Sequence, residues 1–249
     1  MFPPLIVGNW KMYKTITEGV DFVVRLRARI KETADRKVVL APPFTALYAL
    51  AGALRETGIG LAAQNVWDRE AGAFTGEVSP RMLADAGCQY VIVGHSERRA
   101  LFGEGDALIN RKLKAVIQSG LQPILCIGET LGERETGQTF AVVHRQIKEG
   151  LKDISAADAA RMVLAFEPVW AIGTGQTASP EQAAAVHKHI RGVAGGVYGE
   201  EFSRQMPVIY GGSVNPANIK ALMAQEDING VLVGGASLDV ESFAQIVEF

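Results

Sequence analysis

Short apolar runs alternate with longer amphipathic stretches along almost the whole chain. Runs rich in Val, Ile and Leu cover Leu5–Trp10, Val38–Pro42, Ile59–Gln64, Tyr90–His95, Pro123–Gly128, Met162–Glu167, Val208–Gly212 and Gly230–Gly235. They lack clean apolar–polar alternation, the pattern of parallel strands covered on both faces. Between them, helical spacing predicts Thr17–Ala34, Thr45–Glu56, Asp106–Ser119, Thr139–Leu151, Pro180–Val197, Pro216–Met223 and Val240–Glu248. Ser179-Pro180-Glu181-Gln182 joins an N-cap, a proline at the first helical position and a capping-box glutamine, and Ser79-Pro80 opens a shorter helical turn. Eight strand–helix repeats predict an α/β protein, a single-domain (β/α)8 barrel over residues 1–249, close to the ~250 residues typical of that architecture. A doubly wound sheet is the alternative, but no GxGxxG follows the first strand and no linker-like stretch marks a second domain.

Composition narrows the classes. The chain of 249 residues is 48% hydrophobic, enough for a large core, and its net charge of −2 offers no basic field to nucleic acid or an anionic membrane. No apolar stretch approaches the ~20 residues of a membrane helix. Met1 leads directly into Phe2-Pro3-Pro4-Leu5-Ile6-Val7, without the pattern of a signal peptide. Cys88 and Cys126 sit in or beside strand patterns, as two buried thiols of a reducing compartment would. His187 and His189 point different ways on a helix, and His95 and His144 keep no CxxC or HExxH company, so no metal is expected. These features predict a cytoplasmic protein.

In a barrel, chemistry collects at the C-terminal ends of the strands. Asn9 and Lys11 follow the first run, His95 the fourth, and Glu167 the sixth. Gly211-Gly212-Ser213 follows the seventh run and Gly234-Gly235 the eighth. Glu167 ends an apolar run, where burial disfavours its charged form unless it has a partner or a task. After it, Pro168-Val169-Trp170-Ala171-Ile172-Gly173-Thr174-Gly175 reads as a hinged lid, stiff at Pro168 and Trp170 and loose at its glycines. A lone strand-end acid, histidine or lysine is most often a solvated or satisfied side chain. Their joint position at one rim favours proton abstraction from a small anionic substrate.

Five strings carry a resemblance: Gly8-Asn9-Trp10-Lys11-Met12, Gly94-His95-Ser96-Glu97-Arg98-Arg99, Ala165-Phe166-Glu167-Pro168-Val169-Trp170-Ala171-Ile172-Gly173-Thr174-Gly175, Tyr210-Gly211-Gly212-Ser213-Val214 and Gly230-Val231-Leu232-Val233-Gly234-Gly235-Ala236. In order and spacing, over essentially the whole chain, they resemble the triosephosphate isomerase family. The resemblance implies a TIM barrel and a cofactor-free aldose–ketose isomerase of glycolysis and gluconeogenesis. Glu167 would be the base, and His95 would polarise the carbonyl from the start of a short helix, with Ser96 as its cap. Lys11 would supply a cation, Asn9 would hold it, and Glu97 would partner Lys11 or join the proton relay. Ser213, Gly234, Gly235 and, on lid closure, Gly173 would bind the phosphate.

The connection Asn65–Ser79 exceeds the roughly two to six residues usual after a barrel strand. Its tip, Gly72-Ala73-Phe74-Thr75-Gly76-Glu77, sets an aromatic side chain between glycines. The resemblance implies that this loop docks beside Asn9 and Lys11 of a second copy, with Thr75 reaching the partner's Lys11 region, to give a homodimer. Another phosphate-binding barrel isomerase or epimerase, or a non-catalytic metabolite-binding barrel, remains as the competing reading.

Overall fold

A computed structural model describes residues 3–30, 35–173 and 177–249. Eight strands run as β1 (Leu5–Asn9), β2 (Lys37–Ala41), β3 (Gly60–Ala63), β4 (Tyr90–Val93), β5 (Gln122–Ile127), β6 (Val163–Phe166), β7 (Val208–Tyr210) and β8 (Gly230–Val233). All neighbours are parallel and the order is sequential, β8 closing on β1 through Leu5↔Gly230. The helices are α1 (Ile16–Arg29), α2 (Leu47–Ala53), α3 (Pro80–Asp85), α4 (Ser96–Leu101), α5 (Asp106–Gln118) and α6 (Leu131–Glu135). They continue as α7 (Thr139–Gly150), α8 (Ala156–Ala159), α9 (Pro180–Tyr198), α10 (Glu200–Gln205), α11 (Ile219–Met223) and α12 (Val240–Val247). This is the expected (β/α)8 barrel.

Closure produces two buried layers, which explains the unbroken apolar runs. Leu5, Val7, Val39, Tyr90, Ile92, Ile124, Ala165 and Ile209 fill the inside of the barrel. Ile6, Leu40, Val91, Leu125, Leu164 and Val208 belong to the surrounding core that the helices cover. Each fully buried Val, Leu or Ile contributes roughly 1.5–3 kcal/mol relative to exposure.

Two of the expected caps form, and several boundaries move for local reasons. The Ser179 side chain accepts from the Gln182 backbone N–H while Gln182 returns a bond to the Ser179 N–H, completing the capping box. Ser79 caps α3. The helix expected over Thr45–Glu56 becomes a 3-10 turn (Phe44–Ala46) followed by α2, which ends at Ala53. Glu56 has φ +62 and Gly58 φ +73, values that no right-handed helix accommodates. The helix expected from Pro216 begins at Ile219, because Asn215 accepts from the Ala217 and Asn218 N–H groups and holds the first turn open. The helix expected over Thr17–Ala34 ends at Arg29, where Ile30 turns extended (φ -82, ψ 135), and residues 31–34 lie outside those described.

Strands stop short of the predicted limits, so Trp10, His95 and Glu167 lie just beyond the ladder. Three short helices, α6, α8 and α10, were not anticipated. Two have readable caps, the Thr130/Glu133 capping box and Ser155.

Phe243 of α12 seals the junction between β8 and β1. It is fully buried, its centroid lies 6.4 Å from that of Phe22, and a Cβ on Gly8 would come within 3.1 Å of its ring. Phe243→Ala is expected to lower stability by about 3–5 kcal/mol. Denaturant unfolding at fixed protein concentration measures this, and a loss below about 1 kcal/mol would show that the junction repacks.

Candidate active site

The inward alternation of the strands continues past their ends. Leu5 and Val7 lead to Asn9, Val163 and Ala165 to Glu167, Ile209 to Gly211 and Leu232 to Gly234. These four line a cavity of about 340 Å³ together with Lys11, His95, Gly173, Ser213 and Gly235. Of the predicted site residues, only Glu97 is outside that lining, and it reaches Lys11 instead: Glu97 Oε1 is 2.7 Å from Lys11 Nζ. A larger cleft of about 930 Å³ is lined by residues of α2 and α3 and by strand starts, among them Lys37, Arg55, Glu56 and Asp85. Its charges are of mixed sign, and size alone does not select it.

Glu167 is 2% exposed and held at both oxygens. Oε2 accepts the Ser96 backbone N–H at 2.8 Å, and Oε1 lies 2.9 Å from His95 Nε2. Neighbouring glycines make the room. A Cβ on Gly211 would stand 2.9 Å from Glu167 Cγ, and one on Gly128 would collide with the Glu167 carbonyl. Burial pushes the Glu167 pKa up. His95, the Ser96 N–H and Lys11 outweigh it and hold the carboxyl below its ordinary value.

His95 is itself the N-cap of α4, in place of the expected Ser96, which becomes the first helical residue. Its Nδ1 accepts the Glu97 backbone N–H at 3.2 Å, so the neutral ring carries its proton on Nε2, facing the cavity. Burial disfavours the imidazolium. The facing Glu167 carboxylate, helped by Glu97, overrides burial and holds the His95 pKa above its ordinary value.

Lys11 occupies a left-handed backbone conformation, φ +52, uncommon outside glycine. Asn9 Oδ1 accepts its N–H at 3.0 Å, while Gln64 donates to its carbonyl at 2.8 Å. A side chain on Gly234 would lie 3.8 Å from the Lys11 ammonium, so the cation borders the glycine turn after β8. That turn continues as a 3-10 segment, Gly235–Leu238.

After Glu167, Val169–Ala171 forms a 3-10 turn, and Trp170 Nε1 donates to the fully buried Glu129 at 2.9 Å. The Arg134 guanidinium stacks 4.2 Å from the Trp170 ring centre. Gly173 is described, with φ +71, whereas Thr174, Gly175 and Gln176 lie outside the described residues. Sequence reasoning missed Gln64, Gly128, Glu129 and the Ser96 N–H. Only Glu129 had a local signal, the Thr130/Glu133 cap that follows it.

A family model described as triosephosphate isomerase matches residues 4–249. The triosephosphate isomerase of Syntrophotalea carbinolica is 52% identical over 246 residues, 99% of this chain and 98% of the relative. Those of Trichlorobacter lovleyi and Chloroflexus aurantiacus are 51% and 50% identical, with at least 98% of each chain covered. The chain belongs to the triosephosphate isomerase family.

A carboxylate base and a neutral histidine kept neutral by a helix N-terminus are the known pattern of triosephosphate isomerases. In this family member His95 is shifted in the opposite direction because Glu167 faces it. Against that carboxylate, burial, Lys11 and the Glu97 N–H all favour the neutral ring. Glu167→Gln is therefore expected to lower the His95 pKa relative to the parent chain. Titration of the imidazole by heteronuclear NMR measures it, and an unchanged or raised value would rule out the pairing as the cause.

Proposed function

We propose that the chain interconverts dihydroxyacetone phosphate and D-glyceraldehyde 3-phosphate by proton transfer through an enediolate. The observation that carries the reading is one cavity lined by a buried carboxylate, a histidine Nε2, a lysine ammonium and the glycine turns after β7 and β8. The isomerisation moves hydrogen within one molecule, so its redox balance calls for no cofactor.

Asn9 and Lys11 orient the substrate, and Ser213, Gly234, Gly235 and Gly173 take its phosphate through backbone N–H groups and a hydroxyl. The substrate carbonyl oxygen replaces Glu167 at His95 Nε2, which polarises it. Glu167, released towards the substrate, removes the carbon-bound proton and returns it to the adjacent carbon, while His95 relays the hydroxyl proton from one substrate oxygen to the other. Lys11 stabilises the developing oxyanion charge, with Glu97 setting the ammonium position. The segment after Pro168 covers the intermediate and excludes water.

A redox-neutral step between two triose phosphates fits glycolysis and gluconeogenesis, and the two buried, unbridged thiols fit a cytoplasmic setting. Among the described residues, no helix is long and apolar enough to cross a membrane.

The active unit in this reading is a homodimer built on the Asn65–Ser79 loop. Phe74 stacks on Trp67 at 5.4 Å yet stays 40% exposed. Met12, Phe74, Met82, Leu101 and Phe102 are exposed on segments following β1, β3 and β4, which lie on one side of the barrel. So much apolar surface on one side suits a protein partner.

Glu167→Gln should lower turnover by at least ~10²–10⁴-fold while binding of 2-phosphoglycolate survives, since its charge and phosphate contacts remain. A coupled isomerase assay and calorimetric binding report the two effects, and near-normal turnover would end the proposed role. Deleting Ala71–Gly76 should give monomers that keep barrel-like circular dichroism but lose most activity. Sedimentation tests this directly, since a fully active monomeric parent at micromolar concentration would refute the dimer while leaving the isomerase reading intact.

A further inference from the structure

We infer that Asn218 is a positioning residue for the phosphate end of the site, an amide strap that fixes Ser213 from behind; the inference rests on the reading of Ser213 as a phosphate contact. β7 is three residues long, and the chain leaving it is tied to β6 by the Gly211 N–H, which donates to the Phe166 carbonyl at 2.7 Å. Gly212 then carries it to Ser213, which lines the cavity. Both glycines are required by close approach. A Cβ on Gly211 would stand 2.9 Å from Glu167 Cγ, and one on Gly212 would stand 2.2 Å from the Tyr210 hydroxyl. Two glycines in succession make a loose tether. Firm support for Ser213 must therefore come from the residues after it.

Those residues close a ring of hydrogen bonds. Asn218 Nδ2 donates to the Ser213 carbonyl at 3.0 Å, and Asn218 Oδ1 accepts the Asn215 N–H at 2.8 Å. One partner is a carbonyl and the other an N–H, so the amide orientation follows from chemistry. Asn215 Oδ1 in turn accepts the Ala217 and Asn218 N–H groups at 2.9 and 3.1 Å, and Pro216 adds a fixed φ to the turn. The turn leads into α11, which is anchored by the buried Ile219 and Leu222. Asn218 carries that anchorage back to the Ser213 peptide. It lies outside the cavity lining, and a neutral amide adds no charge beside a phosphate. Without it Ser213 hangs on its glycine tether, and displacements near 1 Å in a positioned group can change rate by about 10²-fold.

Binding energy drawn from the phosphate acts on a reaction at remote carbons, so a truncated substrate separates the phosphate end from the rest. Parent and Asn218→Ala are compared with D-glyceraldehyde 3-phosphate and with D-glyceraldehyde, which has the same reacting carbons and no phosphate, and by binding of 2-phosphoglycolate. Sedimentation and thermal unfolding confirm that both chains are folded in the same assembly state. Asn218→Ala is expected to lower kcat/KM for the phosphorylated substrate and affinity for 2-phosphoglycolate about five- to tenfold, the scale of one neutral hydrogen bond, and to change kcat/KM for D-glyceraldehyde less than twofold. If Asn218→Ala does not fold, Asn218→Ser, whose hydroxyl is too short to join Ser213 to Asn215, enters the same comparison with the same expectation. Equal losses with both substrates mark a merely structural amide, and no loss with the phosphorylated one shows that Ser213 is held without it; either result overturns the positioning role. A parent chain that turns over D-glyceraldehyde as well as its phosphate ester has no phosphate site, which overturns the reading of Ser213 and the inference with it.

Discussion

A carboxylate taken out of water inside an apolar barrel is the constraint to which the functional end of this molecule conforms. Glu167 stays ionised because it borrows stabilisation from other strands: His95 and the Ser96 N–H after β4, and Lys11 after β1. No stretch of sequence near Glu167 could supply these groups. Only closure of the sheet, which brings the ends of β1, β4 and β6 around one axis, lets them converge. Breaking such a buried arrangement by removing one partner is costlier than never building it, because an uncompensated charge remains.

The same convergence makes the resting site self-complementary. His95 Nε2 and Glu167 Oε1 face each other at 2.9 Å across the cavity, an ion-pair distance between the two groups with the chemistry to hold and move a proton. A ligand that bonds either group must compete with the other for it. Distribution of the parts over separate loops gives each a rigid base, since every loop springs from a buried strand.

Much of this was legible in the chain because barrel strands are buried on both faces and write themselves as unbroken Val, Ile and Leu. The rim residues Asn9, His95, Glu167 and the glycines after β7 and β8 follow those runs at once, so their common location could be read. Local geometry was harder. Ser96 looked like a helix cap, but His95 accepts the capping bond through its own ring, a role that N-cap preferences do not anticipate. The Asn215 side chain delays α11, and the positive φ of Glu56 marks the early end of α2; neither leaves a trace in hydrophobic periodicity. Gln64 was hidden for a deeper reason: its amide bonds the Lys11 and Ala41 carbonyls, contacts that follow from closure and not from spacing.

The inner layers of the barrel are solid, yet the next layer up contains Gly211 and Gly234 where the alternation would otherwise place side chains. The cavity is therefore written as omission, a set of contacts that the unliganded fold never makes. A bound phosphorylated metabolite supplies them, and whatever binds the native state alone raises its stability with the logarithm of ligand concentration. Persistence of the folded enzyme in a cell is in this way tied to the pool of its own substrate. Where that pool runs low, a larger fraction of the chain is unfolded at any moment.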